Sequence, residues 1–587
     1  MKTIKEFLWI LNKKQKWQLV LLFFMLILSS GLELFGLSIL VPVVDVVAYP
    51  QEAVQSNELV KFLVTLFSIP PENTHRILLA TILFVIVVYL FKCAYSLLLT
   101  AYQTRFVNQF IRQISVQLLS NYLYQPYEFH VYTNSSELYR NATSDASVFV
   151  GSISLIISSL SDLLFMIIAM VYLFFVDWRL TLIVFVALGS LTLLFVRLMK
   201  KKVRVYSMEN WRLNAIGIKN INEGLSGIKE TKISNREQYF IDNYDATKER
   251  QSTLWVKSAI INAAPRALVE AVGMITMLVA LLLYAIYVQN TEAIVTTFAT
   301  LALVVVKILP YLSRLNGNVN SLRWNMVSIH KVYEDLKLVA ETPVINDSEV
   351  AESIMPLPFR HDIAIEKVGF HYRNADKYVL RDADATIRKG ESVAFCGASG
   401  AGKTTTVDII LGLLKPQEGR VLCDGENIAN HLREWHKDIS YVPQEIFLID
   451  NSIKENIAFG HDANKIPDEI VWKALEQAQL ADFVRSLPEG LQTQIGEKGV
   501  RLSGGQRQRI GIARALFRDT PIIVFDEATS ALDFETEAEV LKTVVGLKGE
   551  KTLIIITHRL STIKGCDRIY EIKDSHMVMT KGPEIEA

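Results

Sequence analysis

Before about residue 315 the chain carries six apolar runs, at about 19–48, 77–102, 150–176, 179–199, 257–288 and 293–315. Each is close to or beyond the ~20 residues a helix needs to cross the hydrocarbon core of a bilayer. The first part of the chain is therefore predicted to fold as six transmembrane helices. The first run, Leu19 to about Ala48, far exceeds the ~7–15-residue apolar core of a cleavable signal. Glu33 is its one acidic residue before Asp45. Orientation follows from the cations in the short flanks. Lys2, Lys5, Lys13, Lys14 and Lys16 lie ahead of the first run, and the long loops at about 103–149 and 200–256 carry Arg105, Arg112, Arg140 and Lys200-Lys201-Lys202-Val203-Arg204. The opposite loops, Asp177-Trp178-Arg179 and Gln289-Asn290-Thr291-Glu292, are short and nearly free of cations. Both termini and the long loops are expected in the cytoplasm, the loops as extensions of the membrane helices.

The segment 1–17, with Phe7-Leu8-Trp9-Ile10-Leu11 among its lysines, reads as an amphipathic stretch on the cytoplasmic membrane surface. Between the first two runs, Ser56 or Asn57 is placed to cap a short external helix at about 56–69. Its apolar face would be Leu59, Val60, Phe62, Leu63, Leu66 and Phe67, with Pro70-Pro71 as the stop. Such a helix either touches lipid at the interface or packs as a lid on the bundle. The four cysteines lie far apart, have no metal-ligand spacing and read as small buried hydrophobes. Lys+Arg and Asp+Glu both number 61, so the charge balance gives no reason to expect a nucleic-acid partner.

At 587 residues the chain exceeds one core, and its composition changes at about residue 341. The predicted division is a membrane domain at 1–340, a Pro-punctuated linker at 341–360 and an α/β domain at 361–587. In the last, strand-like runs at 363–370, 392–396, 522–525 and 552–557 alternate with helical ones.

Gly397-Ala398-Ser399-Gly400-Ala401-Gly402-Lys403-Thr404 fits the G-x-x-x-x-G-K-[ST] phosphate loop. It follows the apolar strand Ser392–Cys396 and opens the helical run Thr405 to Leu414. Glycines let successive N–H groups converge on phosphate oxygens at a helix N-terminus. Lys403 is expected to reach the β- and γ-phosphates, and the Thr404 hydroxyl to sit on Mg²⁺. Pro521-Ile522-Ile523-Val524-Phe525-Asp526-Glu527 is an apolar strand ending in two carboxylates. Asp526 is placed to hold Mg²⁺ and Glu527 to polarise an attacking water. His558, at the end of a similar strand, is a candidate γ-phosphate contact. Gln444 is a candidate for Mg²⁺ or the water, and Tyr372, 25 residues before Gly397, for stacking on adenine. Leu502-Ser503-Gly504-Gly505-Gln506 opens a second helix, from Arg507 to Phe517, and makes a second anion site. One nucleotide does not occupy both, which points to a composite site shared by two copies.

LSGGQ together with GASGAGKT, VPQ, FDEATSALD and THR, in the order met along the chain, resembles the ATP-binding cassette family. Six spans ahead of one cassette resemble an ABC exporter half-transporter, over nearly the whole chain. The resemblance implies an α-helical transmembrane domain of exporter type fused to an α/β P-loop nucleotide-binding domain that hydrolyses ATP with Mg²⁺. It implies a homodimer in which Ser503, Gly504, Gly505 and Gln506 of one copy close over ATP held by Gly397, Ser399, Gly400, Gly402, Lys403, Thr404 and Thr405 of the other. Asp533 would be the D-loop residue communicating across that dimer. Gly496-Glu497-Lys498-Gly499 resembles the exporter X-loop, and coupling helices are expected near 132–140 and 224–234.

Charged residues inside spans are costly and mark function by default. Here they are Lys92, Arg266, Lys307 and Arg314, with Glu270 one turn after Arg266. They read either as a basic belt around a phosphate-bearing head group, or as snorkelling lysines with Arg314 in the cytosolic extension. The membrane half also resembles the bacterial lipid-linked oligosaccharide flippases of the PglK type, through Ser30-Gly31-Leu32-Glu33-Leu34-Phe35-Gly36-Leu37-Ser38, the external helix, and Ala264-Pro265-Arg266 with Glu270. That likeness implies outward movement of a polyprenyl-pyrophosphate-linked glycan across the bacterial cytoplasmic membrane, with Lys92, Arg266, Lys307 and Arg314 at the pyrophosphate and the external helix at the polyprenyl tail. Two of the four positions are lysine, a point charge without the bidentate fork of arginine. The alternatives are an exporter of another lipid, a peptide or a drug, and a non-transporting regulator or ATP-gated channel.

Overall fold

A computed structural model describes residues 7–581 apart from 8, 49–51, 55–56, 72, 177, 288–290, 341–353, 374, 376, 528–545, 558–562 and 564. The chain divides into two compact units, Met1–Gln125 with His130–Val344, and Pro126–Phe129 with Ile345–Ala587.

Among the described residues, every element of the first unit is helical: α1 (Lys13–Ser38), α2 (Leu40–Ala48), α3 (Glu58–Leu66), α4 (Thr74–Leu123), α5 (Tyr127–Tyr132, whose first three residues belong to the second unit), α6 (Ser135–Arg140), α7 (Ala146–Val176), α8 (Trp178–Ser226), α9 (Ile228–Ile233), α10 (Glu237–Tyr287), α11 (Thr291–Trp324) and α12 (Met326–Ala340). Helices are the natural outcome for apolar runs that must satisfy their own backbone in lipid. Four stretches among the described residues, Lys13–Gly36, Thr74–Leu123, Ser135–Phe175 and Glu237–Thr276, are long and apolar enough to cross a membrane. The other two predicted spans fall within α8 and α11, where many side chains lie outside the described residues. Helices α4, α8 and α10 run for 50, 49 and 51 residues. At ~1.5 Å per residue each is about 75 Å long, well over twice the ~30 Å hydrocarbon core, as expected for spans that extend beyond the membrane.

A polar seam joins α7 to α11 and α12. Arg314 Nη2 donates to Asp162 Oδ1 at 2.8 Å, Asn325 Nδ2 to Ser152 Oγ at 3.0 Å, and Ser328 Oγ to Asp145 Oδ1 at 2.8 Å. Partners fall in number on one helix as they rise on the other, so the helices run antiparallel. The seam ends at a π-helical turn, Asn141–Asp145. There Arg140, only 2% exposed, places Nε 3.2 Å from Asp145 Oδ2 and its guanidinium 4.2 Å from the Trp211 ring centroid. Asn141 Nδ2 donates to Asp335 Oδ2 at 2.8 Å, and Lys331 Nζ lies 3.2 Å from Glu137 Oε1.

Two sequence expectations change in the first unit: Cys93, read as a small buried hydrophobe, is exposed, and the N-terminal segment finds cover on protein. The N-terminal segment packs on protein through its apolar residues: Phe7 and Leu11 are buried, the Phe7 and Phe149 rings lie 4.6 Å apart, and the Trp9 and Tyr333 rings 5.7 Å apart. Lys13, Lys14, Lys16 and Trp17 remain exposed. Hydrophobic burial against α7 and α12 is available to the aromatic side chains, so lipid is not their only apolar partner. Helix α3 starts where predicted, with Asn57 Oδ1 accepting from Leu59 N at 3.1 Å. One side of it packs on protein and the other stays exposed. Val60 and Leu63 are buried, Val60 beside Val46, Ala53 and Ile77, while Phe62, Leu66 and Phe67 are each more than half exposed.

The second unit contains two sheets. Strands β1 (Asp362–Phe370), β2 (Leu380–Arg388), β4 (Glu418–Cys423) and β5 (Glu426–Asn427) form an antiparallel sheet in the order β2-β1-β4-β5. Strands β3 (Ser392–Cys396), β6 (Ile439–Val442), β7 (Ile522–Asp526), β8 (Thr552–Ile556), β9 (Arg568–Lys573) and β10 (His576–Lys581) form the other, in the order β10-β9-β3-β8-β7-β6. All its pairings but β10 with β9 are parallel. β7 and β8 are buried along their whole length, which is why they read as unbroken apolar runs. In this sheet β3, β8 and β7 are neighbours, so their carboxyl ends share one edge, where ligands of parallel α/β sheets bind.

Candidate functional site

The phosphate loop leaves β3 at that edge and opens α13 (Lys403–Ile410), whose N-cap is Gly402. Gly397, Gly400 and Gly402 have φ of +143°, +78° and +107°, a region that favours glycine. A Cβ on Gly397 would stand 2.5 Å from Ile572 O, and one on Gly402 2.8 Å from Val379 Cγ1. Lys403 Nζ lies 3.0 Å from both Gly397 O and Ala398 O, so its ammonium is folded over its own loop.

Gln444 and the two carboxylates come together. Gln444 Nε2 donates to Glu527 Oε2 at 2.9 Å, and Tyr441 OH donates to Asp526 Oδ2 at 3.3 Å. Asp526 is 3% exposed, and burial raises its carboxyl above the ordinary range, with the Glu527 charge adding to the effect. Glu527 has a φ of +46°, a strained conformation for a residue with a side chain and one that clusters at functional sites. Sequence reasoning passed over Asp408 on α13, whose carboxyl is pushed up to about 6 by burial and by Asp526. A lone Asp in an apolar helical run gave no local signal.

Tyr372, predicted to stack on adenine, places its hydroxyl 3.1 Å from Thr405 Oγ1. Ser503 caps α14 (Gly504–Phe517) in a reciprocal box, Ser503 N donating to Gln506 Oε1 at 2.8 Å and Gln506 N to Ser503 Oγ at 3.2 Å. The Ser503 residue itself is exposed, leaving the start of this helix open to a ligand. Asp533 and His558 lie outside the described residues. Of the segments expected near 132–140 and 224–234, the second is α9. The first contains α6; ahead of it, Pro126–Phe129 belongs to the second unit, where Glu128 Oε1 lies 3.1 Å from Arg373 Nε, next to Tyr372. That contact lies upstream of the predicted range.

The intramembrane cations divide. Lys92 Nζ lies 2.7 Å from Glu33 Oε2. Arg314 pairs with Asp162 at 2.8 Å, its guanidinium 4.4 Å from the Tyr311 ring centroid. Asp162 is 152 positions from its partner, too far for sequence spacing to propose. Arg266 and Glu270 are exposed and form no ion pair among the described residues, with each other or with another group. The Lys307 side chain lies outside the described residues.

Comparison with known proteins places these features in a family. Residues 380–530 match the ABC transporter family model, and residues 19–309 that of the ABC transporter transmembrane region. The chain is 31% identical to the ATP-dependent lipid A-core flippase of Cupriavidus metallidurans, over 72% of this chain and 70% of that protein. It is 31% identical to the protein of the same name from Syntrophus aciditrophicus, over 86% and 81%. The solved structure of a bacterial Atm1-family ABC exporter with ATP bound has the same fold, with a TM-score of 0.79, 21% identity and coverage of 97% of this chain and 95% of that one. The chain is a multi-pass membrane protein that belongs to the ABC transporters, with the membrane region and the ATP-binding region in one polypeptide.

Proposed function

We propose that the protein is an ATP-driven flippase that moves a phosphate-bearing glycolipid outward across a bacterial cytoplasmic membrane, with both termini in the cytoplasm. Two copies act together. ATP sits on the phosphate loop of one copy around Lys403, stacked by Tyr372, and the Ser503–Gln506 helix start of the other closes over it, with Asp533 between the copies. Glu527, oriented by Gln444, takes the proton of the attacking water, and His558 contacts the γ-phosphate. The Thr404 hydroxyl, Asp526 and Gln444 offer hard oxygen donors with a single carboxylate, a set that suits Mg²⁺ already bound to nucleotide phosphates. Held by these residues, Mg²⁺ would supply neutralisation of the charge on the phosphates.

The observation that carries this reading is the pairing of Gln444 with Glu527 at 2.9 Å at the phosphate-loop edge, in a chain that also has an exposed arginine in a predicted span, Arg266, which forms no ion pair among the described residues. Arg266 and Lys307 are the proposed head-group contacts. Lys92 and Arg314 hold acidic partners, so a substrate phosphate must compete with Glu33 and Asp162 for them. The substrate we favour is a polyprenyl-pyrophosphate-linked glycan. A second reading, a lipid A-type glycolipid, is favoured by the names of the relatives. Both are amphiphiles with phosphate next to sugar.

The test is ATP hydrolysis by the protein in lipid nanodiscs with each glycolipid, beside the Arg266→Ala variant. Stimulation by one of the two, lost in the variant, supports the reading and selects the cargo. Basal turnover that responds to neither contradicts it.

A further inference from the structure

Between residues 67–69, which follow α3, and the first turns of α4 lies a groove of about 540 Å³, next to the external helix that the flippase likeness gives to a polyprenyl tail. The volume is within the ~300–1,000 Å³ typical of small-molecule sites. Its lining is amphiphilic. Phe67, Ser68 and Ile69 line it from one segment, and on α4 Arg76 comes first, followed by Leu79, Ala80, Leu83 and Val87 at helical spacing. Ser68 closes α3 with a φ of +50°, and Ile69 N returns to Val64 O at 3.0 Å, which brings the chain back against the start of α4. Arg76 lies in the first turn of that helix. Its backbone N–H is taken by the Asn73 side chain at 3.2 Å, while its side chain is exposed and pairs with no acid among the described residues. Leu79, Leu83 and Val87 are each close to or more than half exposed.

The dimensions select the occupant. From Arg76 to Val87 the helix rises about 16 Å, close to half of the ~30 Å hydrocarbon core. A cation at the interface, followed by one leaflet's depth of apolar wall, fits a lipid whose phosphate meets Arg76 and whose acyl chain lies along Leu79 to Val87. The helix N-terminus adds positive potential at the same end. A polyprenyl chain, several times longer than one leaflet, would leave most of its length outside. We infer that this groove holds an anionic glycerophospholipid of the outer leaflet as a bound partner distinct from the cargo. The inference rests on the proposed orientation only in naming the leaflet.

The test is native mass spectrometry of the full-length protein offered equal amounts of phosphatidylglycerol and phosphatidylcholine. The expected result is retention of phosphatidylglycerol over phosphatidylcholine by roughly two- to fivefold, because both lipids carry the phosphate but only phosphatidylcholine brings a choline cation against Arg76 and the helix N-terminus. Arg76→Gln should remove the preference, and Ala80→Trp, which fills the groove, should remove the retained lipid itself. Basal ATP hydrolysis serves as the folding control for both, because neither residue belongs to the nucleotide site. Equal retention of the two lipids, or none, overturns the inference. So does displacement of the retained lipid by stoichiometric polyprenyl phosphate, which would give the groove to cargo. Retention needs no transport, so a failure here leaves the flippase reading intact, and a failure of lipid-stimulated hydrolysis leaves this one intact.

Discussion

Gly397 cannot acquire a side chain without moving the backbone of β9, since a Cβ there would stand 2.5 Å from Ile572 O. Gly397→Ala is therefore expected to abolish high-affinity ATP binding in a fluorescent-nucleotide titration while the protein still folds. Retained affinity would show that the loop can relax. Glu527→Gln keeps the shape of the side chain and removes its basicity. A general base is worth roughly 10²–10⁴-fold in rate, so ATP turnover should fall at least about a hundredfold with ATP binding retained. Asp438, 5% exposed and with one carboxylate oxygen lacking a hydrogen-bond partner, is pushed up to about 6 by burial. The folded state thus holds this proton more tightly than the unfolded chain does. The stability gained from the neutral form is present below about pH 4 and lost as pH rises through about 6. Asp438→Asn should accordingly raise the Tm of the full-length protein at pH 7.5 relative to wild type, and the gain should shrink at pH 5. The nucleotide residues were legible because phosphate binding demands local backbone geometry and thus a local motif. Asp408 and Tyr441 were not, because their roles come from strands and helices that meet only in the fold.

At the scale of elements, the junction around the π-helical turn Asn141–Asp145 is held by charge. Arg140 and Asp145 are both nearly fully buried, and removing one partner of a buried pair leaves an uncompensated charge that costs about 3–5 kcal/mol. Arg140→Ala should lower the Tm markedly, whereas Arg140→Met combined with Asp145→Leu should recover much of the loss. A double variant no more stable than the single one would place the cost in lost packing on Trp211. The helices themselves were legible from apolar length, and Asn57 as a cap from the residues following it. What covers each helix was not. The same apolar face on α3 serves both core and surface, and the carboxylates that face Lys92 and Arg314 are brought there by packing of helices far apart in sequence.

For the molecule as a whole, the proposed function joins a nucleotide site shared by two copies to a membrane unit in which, of the cations described in the predicted spans, Arg266 forms no ion pair. If the site is composite, co-assembly of chains carrying Ser503→Arg with chains carrying Lys403→Ala should restore hydrolysis that neither homodimer has, because the mixed dimer contains one site free of both changes; no restoration would contradict a shared site. The claim that hydrolysis is coupled to lipid movement is tested most directly in sealed proteoliposomes, by following a phosphate-bearing glycolipid whose head group becomes accessible to a membrane-impermeant reagent. The account predicts ATP-dependent transfer to the leaflet away from the nucleotide-binding units, with none for Glu527→Gln. Transfer at the same rate without ATP, or ATP hydrolysis with no transfer of either glycolipid, would contradict it.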